Sequence, residues 1–209
     1  MENEVNEDKP TVPQQKEGTS KDIDHTIKAA DENDARKLFM IARNRLVDVN
    51  RWKEFSGPAS AGFRLTDQNG NELSRTVEKG DLFKIALPAP GPAEGKGYDW
   101  VKVEAIEETG NPNGEKESIA IRVRPTQSPL TEGEETAHFF KDKATSSFVI
   151  ERNGTEVTAA VYGRNEVPNT ETNNLIDKVR NAIVGSTAIL GFSNVQWKSL
   201  LKGLVETQD

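Results

Sequence analysis

The sequence predicts an α+β fold: a curved antiparallel sheet of six to seven strands gripping a long C-terminal helix, with a helical segment ahead of the strands. Three observations predict it. Apolar residues recur at spacings of three and four between Asp31 and Phe55. Short alternating polar and apolar runs, separated by turn residues, then fill the stretch from Phe63 to Tyr162. Helical spacing returns after Pro168 and continues almost to the end of the 209 residues.

Residues 1 to 21 are rich in Glu, Asp, Lys, Gln, Pro and Ser, with Val5 and Val12 as the large aliphatics. Such a segment buries too little apolar surface to offset its ordering entropy. It is expected to be a disordered tail, leaving residues 22–209 as one α+β domain. Ile23 to Ile27 is a candidate edge strand. The first helix takes Asp31 as N-cap, with Asp34 in the first turn where the helix dipole favours negative charge. Leu38, Ile41, Ala42, Leu46, Val49 and Trp52 are expected on its buried face, with a break near Val47-Asp48-Val49. Phe55-Ser56-Gly57-Pro58 ends the helical region.

Phe63–Thr66 and Glu72–Ser74 flank Asn69-Gly70, a turn pair, with Leu65 opposite either Ser74 or Leu73. Leu82–Leu87 places Phe83, Ile85 and Leu87 on one face. In Asp99–Ile106, strict alternation puts Val101, Val103 and Ala105 on one face and Trp100, Lys102, Glu104 and Ile106 on the other. Ile119, Ile121 and Val123 share a face opposite Arg122 and Arg124, as in a sheet wet on one side. A two-residue turn at Asn153-Gly154 would oppose Ile150 to Val157, Phe148 to Ala159 and Ser146 to Val161. The turn also explains Asn153-Gly154-Thr155, which has the form of a glycosylation sequon. In the last helix Leu175, Val179, Ala182, Ile183, Ser186 and Leu190 form a stripe, Gly191 interrupts it, and Ser193 to Gln196 restarts it with a capping box. Val195, Leu200, Leu201 and Leu204 continue the apolar face.

Composition narrows the function. Cysteine is absent, which excludes disulfides, thiolate nucleophiles and cysteine-ligated zinc or iron–sulfur sites. Thirty-four acidic against 27 basic residues give a net charge of -7, and this disfavours nucleic acid as a partner. No apolar run approaches the roughly 20 residues that span a bilayer. An opening with Glu2, Glu4, Glu7 and Asp8 has no apolar signal region, so a soluble cytoplasmic protein is expected.

Catalytic motifs are sparse. There is no Gly-x-Ser-x-Gly, no phosphate-binding Gly-x-x-x-x-Gly-Lys-Ser/Thr and no dinucleotide fingerprint. His138, beside Phe139-Phe140, reads as a partly buried structural imidazole. Asp22, Asp24 and His25 resemble a fragment of a metal site, but no metal or other cofactor is expected from them. Tyr162-Gly163-Arg164-Asn165-Glu166 leaves a strand just before the final helix, where pocket mouths lie. Arg164 is placed to hold a ligand carboxylate, to pair with Glu166, or to tie the strand to the last helix, for example at Asp177. The Pro88–Pro92 and Gly95-Lys96-Gly97 loop is either a flap or a plain exposed connection.

A strand at Ile23–Ile27, a helix ending in Arg51-Trp52-x-x-Phe55, successive antiparallel strands and a long final helix together resemble the START-like, or polyketide-cyclase-like, helix-grip superfamily. The resemblance spans residues 23 to 205. The chain departs from it by an extra strand, the long Pro/Gly loop and the break at Gly191. It implies a cavity between sheet and last helix that accepts an apolar or amphipathic small molecule, and transfers no catalytic residue. Trp52, Phe83, Trp100, Phe148, Tyr162, Arg164 and Ile183 are the candidate lining residues. A non-catalytic binder is favoured over two alternatives. One is a protein-interaction module with a solid core and an exposed patch around Pro88–Tyr98 and Trp100. The other is a lyase or cyclase acting on an apolar substrate.

Overall fold

The computed structural model describes residues 11–57, 62–86, 96–131, 136–138, 140–169 and 194–206, and among them seven strands and three helices follow the predicted order. The strands are β1 (Thr19–Lys28), β2 (Gly62–Thr66), β3 (Leu82–Ala86), β4 (Asp99–Gly110), β5 (Lys116–Pro125), β6 (Thr145–Asn153) and β7 (Glu156–Glu166). They form one antiparallel sheet in the order β1-β7-β6-β5-β4-β3-β2. The helices are α1 (Glu32–Val47), α2 (Trp52–Ser56) and α3 (Asn194–Val205). A 3₁₀ turn, Val49–Arg51, separates the first two where the break was expected.

Local chemistry sets the helix ends. The Asp31 side chain accepts the Asp34 backbone N–H at 2.9 Å and so caps α1. The buried stripe of α1 is Ala35, Phe39, Ala42 and Leu46, not the expected Leu38 and Ile41; Ile41 is 37% exposed. The stripe has spacings of four, three and four, and it faces β6, β7 and α3. The Arg45 guanidinium donates to the carbonyls of Gly203 (2.9 Å) and Glu206 (2.6 Å), satisfying the end of α3. Gly203 allows that end to approach α2, because a Cβ there would collide with the Phe55 carbonyl.

The inner, helix-bearing face carries the core. Trp52 meets Phe148, Phe63 and Phe83 edge-on, with ring centroids 4.8, 5.0 and 5.8 Å away, and Phe148 packs on Trp197 at 5.5 Å. These five rings are fully buried, and edge-to-face geometry adds to what their area contributes. The indole N–H of Trp52 donates to the Leu46 carbonyl at 3.1 Å.

Register differs from strict alternation at three places. β4 contains a bulge at Glu104, so Ile106, not Ala105, opposes Ile121 on the inner face. The bulged Glu104 reaches Arg122 at 3.0 Å and Arg124 on the outer face. Burial works against its charged form, yet the bond from Arg124 and both guanidinium charges hold its carboxyl below the usual range. In the last hairpin the turn residues are Gly154 and Thr155, not Asn153 and Gly154. Ile150 therefore opposes Ala159 and Phe148 opposes Val161. Gly154 has φ +58 at the first turn position, the conformation that a type II′ turn reserves for glycine. The slip is two residues across the pair, so every side chain keeps its expected face.

The third place is the extra strand. Glu72–Ser74 makes a single bridge, Thr66 to Glu72, while β2 pairs β3 along its length. Leu73 donates to the Leu65 carbonyl at 2.9 Å, which settles the longer-loop pairing. Asn50 fastens the pair by donating to the Leu73 carbonyl and accepting the Leu65 N–H.

The expected tail boundary at residue 21 is too late. β1 begins at Thr19, and Thr11 and residues 14–17 are hydrogen-bonded to the sheet, with Thr11 buried. Their polar groups find partners on β6 and β7, including Ser147 Oγ to the Thr11 carbonyl at 2.9 Å. Composition counts apolar burial and is blind to such bonds. The stripe from Leu175 to Leu190, Ile183 included, lies outside the described residues. In α3, Trp197, Leu200, Leu201 and Leu204 are buried, whereas Val195 is 76% exposed.

Candidate ligand-binding face

The nominated residues divide between the two faces of the sheet. Trp52, Phe83 and Phe148 belong to the inner cluster described above. Trp100 does not: alternation along β4 sends it to the outer face, where it is buried with Leu82 and Ala137, flanked by Tyr98 and Leu130. Those side chains cover the indole, and residues 88–95 of the loop where an exposed patch was expected lie outside the described residues. Tyr162 is also on the outer face, with the Arg164 guanidinium over its ring at 5.6 Å.

Arg164 pairs with neither Glu166 nor the last helix among the described residues. It grips Asp22 on β1 with both terminal nitrogens, one of them 3.1 Å away, and donates to the Gly163 carbonyl at 2.7 Å. Its job there is to join the first and last strands.

Glu166 is the residue that sequence reasoning set in the wrong role. Asn165 adopts φ +55, and β1 shifts register between Thr19 and Lys21 against it. This bulge turns the Glu166 side chain over Gly163, on the side where Val161 and Ala159 point into the core. A Cβ at position 163 would collide with the Glu166 carboxyl. The carboxyl is buried, and its Oε1 has no hydrogen-bond partner among the described residues. Burial lifts its pKa to about 7, opposed by the charges of Lys21 and Arg164 and reinforced by Asp22. The signal was present in the string Gly163-Arg164-Asn165-Glu166: a glycine inside a strand marks a bulge or close approach, and Asn tolerates positive φ.

The segment before β1 holds the bulge in place. The Asn165 side chain accepts the backbone N–H groups of Lys16 (2.7 Å) and Glu17 (3.2 Å) and donates to the Gln14 carbonyl. Its own N–H donates to Gln15 Oε1 at 2.9 Å. Beside Gly163, across the strand pair, stand Ser146 on β6 and Lys21 on β1. One step along, the inward row becomes Phe148, Val161 and Ile23. The face thus changes from large apolar to small and polar over a single pair of residues.

Surface clefts open elsewhere on the described residues. One, of about 520 Å³, is lined by Asp48, Asn50, Arg64, Glu72 and Arg75. Another, of about 630 Å³, lies between Arg45, Arg51, Phe55, Ser199 and Lys202. Neither contains a nominated aromatic. His138 is fully buried, not partly, and its Nδ1 accepts the Phe140 backbone N–H at 3.0 Å. No group of three or more acidic or histidine side chains among the described residues is arranged to hold a metal. No described helix is long and apolar enough to cross a membrane.

Element order, antiparallel pairing and the helices on one face define a helix-grip fold, as the sequence resemblance implied. No protein-family model and no curated protein matches the chain. It is similar to the solved structure of truncated norcoclaurine synthase from Thalictrum flavum, at 10% identity and a TM-score of 0.38, over 94% of this chain and 100% of that one. For protein Ms6760 from Mycobacterium smegmatis the figures are 12%, 0.42, 92% and 94%. For major latex-like protein 151 from Panax ginseng they are 13%, 0.31, 81% and 94%. Likeness at this level carries neither ligand nor activity to this chain.

Proposed function

We propose that this protein is a non-catalytic binder of an apolar or amphipathic small molecule, held on the inner face of the sheet beneath the C-terminal helical region. The observation that carries the reading is the change along β6 and β7 from Phe148 and Val161 to Ser146 and Gly163, with a buried, unpaired carboxyl oxygen beside them. Binding sites for small molecules are mostly apolar with a few placed polar groups, and this end of the face has that composition. On β6, Phe148 packs on Trp52 and Arg152 is ion-paired with Glu117 at 2.6 Å, which leaves the Ser146 end as the place for a guest.

Two polar groups that the sequence singles out are engaged by the fold. His138 spends its ring nitrogen on a turn of its own chain, and Arg164 is committed to Asp22. Native mass spectrometry of protein purified from its host, before and after denaturing extraction, tests the reading. A reproducible co-purifying small molecule supports it. Only apo protein, together with failure to bind added amphiphiles, counts against it and favours an interaction module.

A further inference from the structure

A carboxyl removed from water without a partner is costly, and chains tolerate one where something else supplies the missing bond. Glu166 meets that description on the inner face, and its placement is built rather than incidental. The backbone at Asn165 is held in a conformation that L-residues rarely adopt. Four hydrogen bonds from residues 14–17 keep it there. Gly163 is the residue type that leaves room for the carboxyl. Together these groups cost conformational freedom to aim one oxygen at the small, polar end of the inner face.

We propose that Glu166 is the polar anchor of the binding face, its free Oε1 accepting a hydrogen bond from the amine head group of an otherwise apolar ligand. The inference rests on the ligand-binding reading above. An ammonium head supplies both the missing donor and a compensating charge, so the bond is charge-assisted. The charged groups known to face the carboxyl are Lys21 and Asp22 from β1 and Arg164 from its own strand. Arg164 is turned to the outer face and neutralised by Asp22. Because burial already raises the carboxyl to about 7, an amine binds more tightly as pH rises through that value and the carboxylate forms.

The test is calorimetric titration of the full chain at pH 7.5 with decylamine, 1-decanol and decanoate, each below its micelle concentration. Decylamine is expected to bind about tenfold or more tightly than decanoate, and Glu166→Gln to remove about tenfold of decylamine affinity while lowering that of 1-decanol, which offers one neutral O–H donor, by no more than about threefold. A second readout needs no variant: decylamine should lower the midpoint of the Glu166 carboxyl carbon titration followed by NMR in the wild-type protein. Equal decylamine affinity in both proteins, with an unmoved Glu166 midpoint, overturns the anchor while the binder reading stands. If none of the three ligands binds, the binder reading fails and the anchor with it.

Discussion

The carboxyl of Glu166 occupies the space that a side chain at Gly163 would need. Two residues three apart on one strand therefore depend on each other. Gly163→Ala should destabilise the protein by about 1 to 3 kcal/mol, the usual cost of overpacking a filled site. Glu166→Ala vacates the space, so the double variant should be more stable than the sum of the two single effects implies. Denaturant unfolding of all four proteins measures the coupling. Strict additivity would show that the two side chains do not compete.

The same carboxyl gives stability a pH dependence of known sign. Its folded pKa, about 7, lies above the ordinary 4.5, so folding favours the protonated form. That stability is fully present below about 4.5 and is lost as pH rises through about 7, by on the order of 3 kcal/mol at most. Comparing wild type with Glu166→Gln from pH 4 to 8 isolates it. The difference in unfolding free energy between the two proteins should change across that window. A constant difference contradicts the burial argument.

Arg152 and Glu117 form a buried ion pair at 2.6 Å under the start of the helical layer, with side-chain exposures of 0% and 8%. The guanidinium also donates to the carbonyls of Gly114, Glu115 and Gly154, joining the β4–β5 loop to the β6–β7 turn. Arg152→Ala leaves a buried carboxylate alone and should cost about 3 to 5 kcal/mol. Replacing the pair together, with Arg152→Met and Glu117→Leu, should recover much of that loss. Equal destabilisation in single and double variants would mean that the loop carbonyls, not Glu117, are the main partners.

Asn165→Ala removes both the tolerance of positive φ and the acceptor for two backbone N–H groups. Hydrogen exchange at Lys16 and Glu17 should then accelerate at least about tenfold, while the amides of Phe148 and Val161 in the sheet centre change little. Unchanged exchange at Lys16 and Glu17 would show that the leading segment is held by other contacts.

How much of this was legible in the sequence follows from what periodicity records. Alternation found the strands and the inward row Phe83, Ile85, Ile119, Ile121, Val123, Phe148 and Val161, because each side chain has one apolar neighbour set. It failed at Glu104, since a bulge moves the phase by one residue without changing composition, and so Ile106 was assigned to the wrong face. Trp100 was read by residue type as a cavity wall. Its strand phase sends it outward, where Leu82 and Ala137 cover it. The 154–155 turn lay one residue beyond the expected Asn-Gly pair, since Gly154 adopts the first turn position instead of the second. Glu166 was misjudged because its direction depends on one backbone dihedral at Asn165, which spacing does not encode. Residues 11–18 were read as a tail because hydrogen bonds leave no mark in hydrophobic pattern.

Intermolecular NOEs between a saturating apolar ligand, 1-decanol, and methyl-labelled protein test the central claim most directly. The account predicts saturable binding with contacts to the inner-face methyls of Ile23, Val123 and Val161, and none to Val149 and Ala160 on the opposite face of the same strands. Contacts to Val149 and Ala160, or no saturable binding up to the solubility of the alcohol, would contradict it.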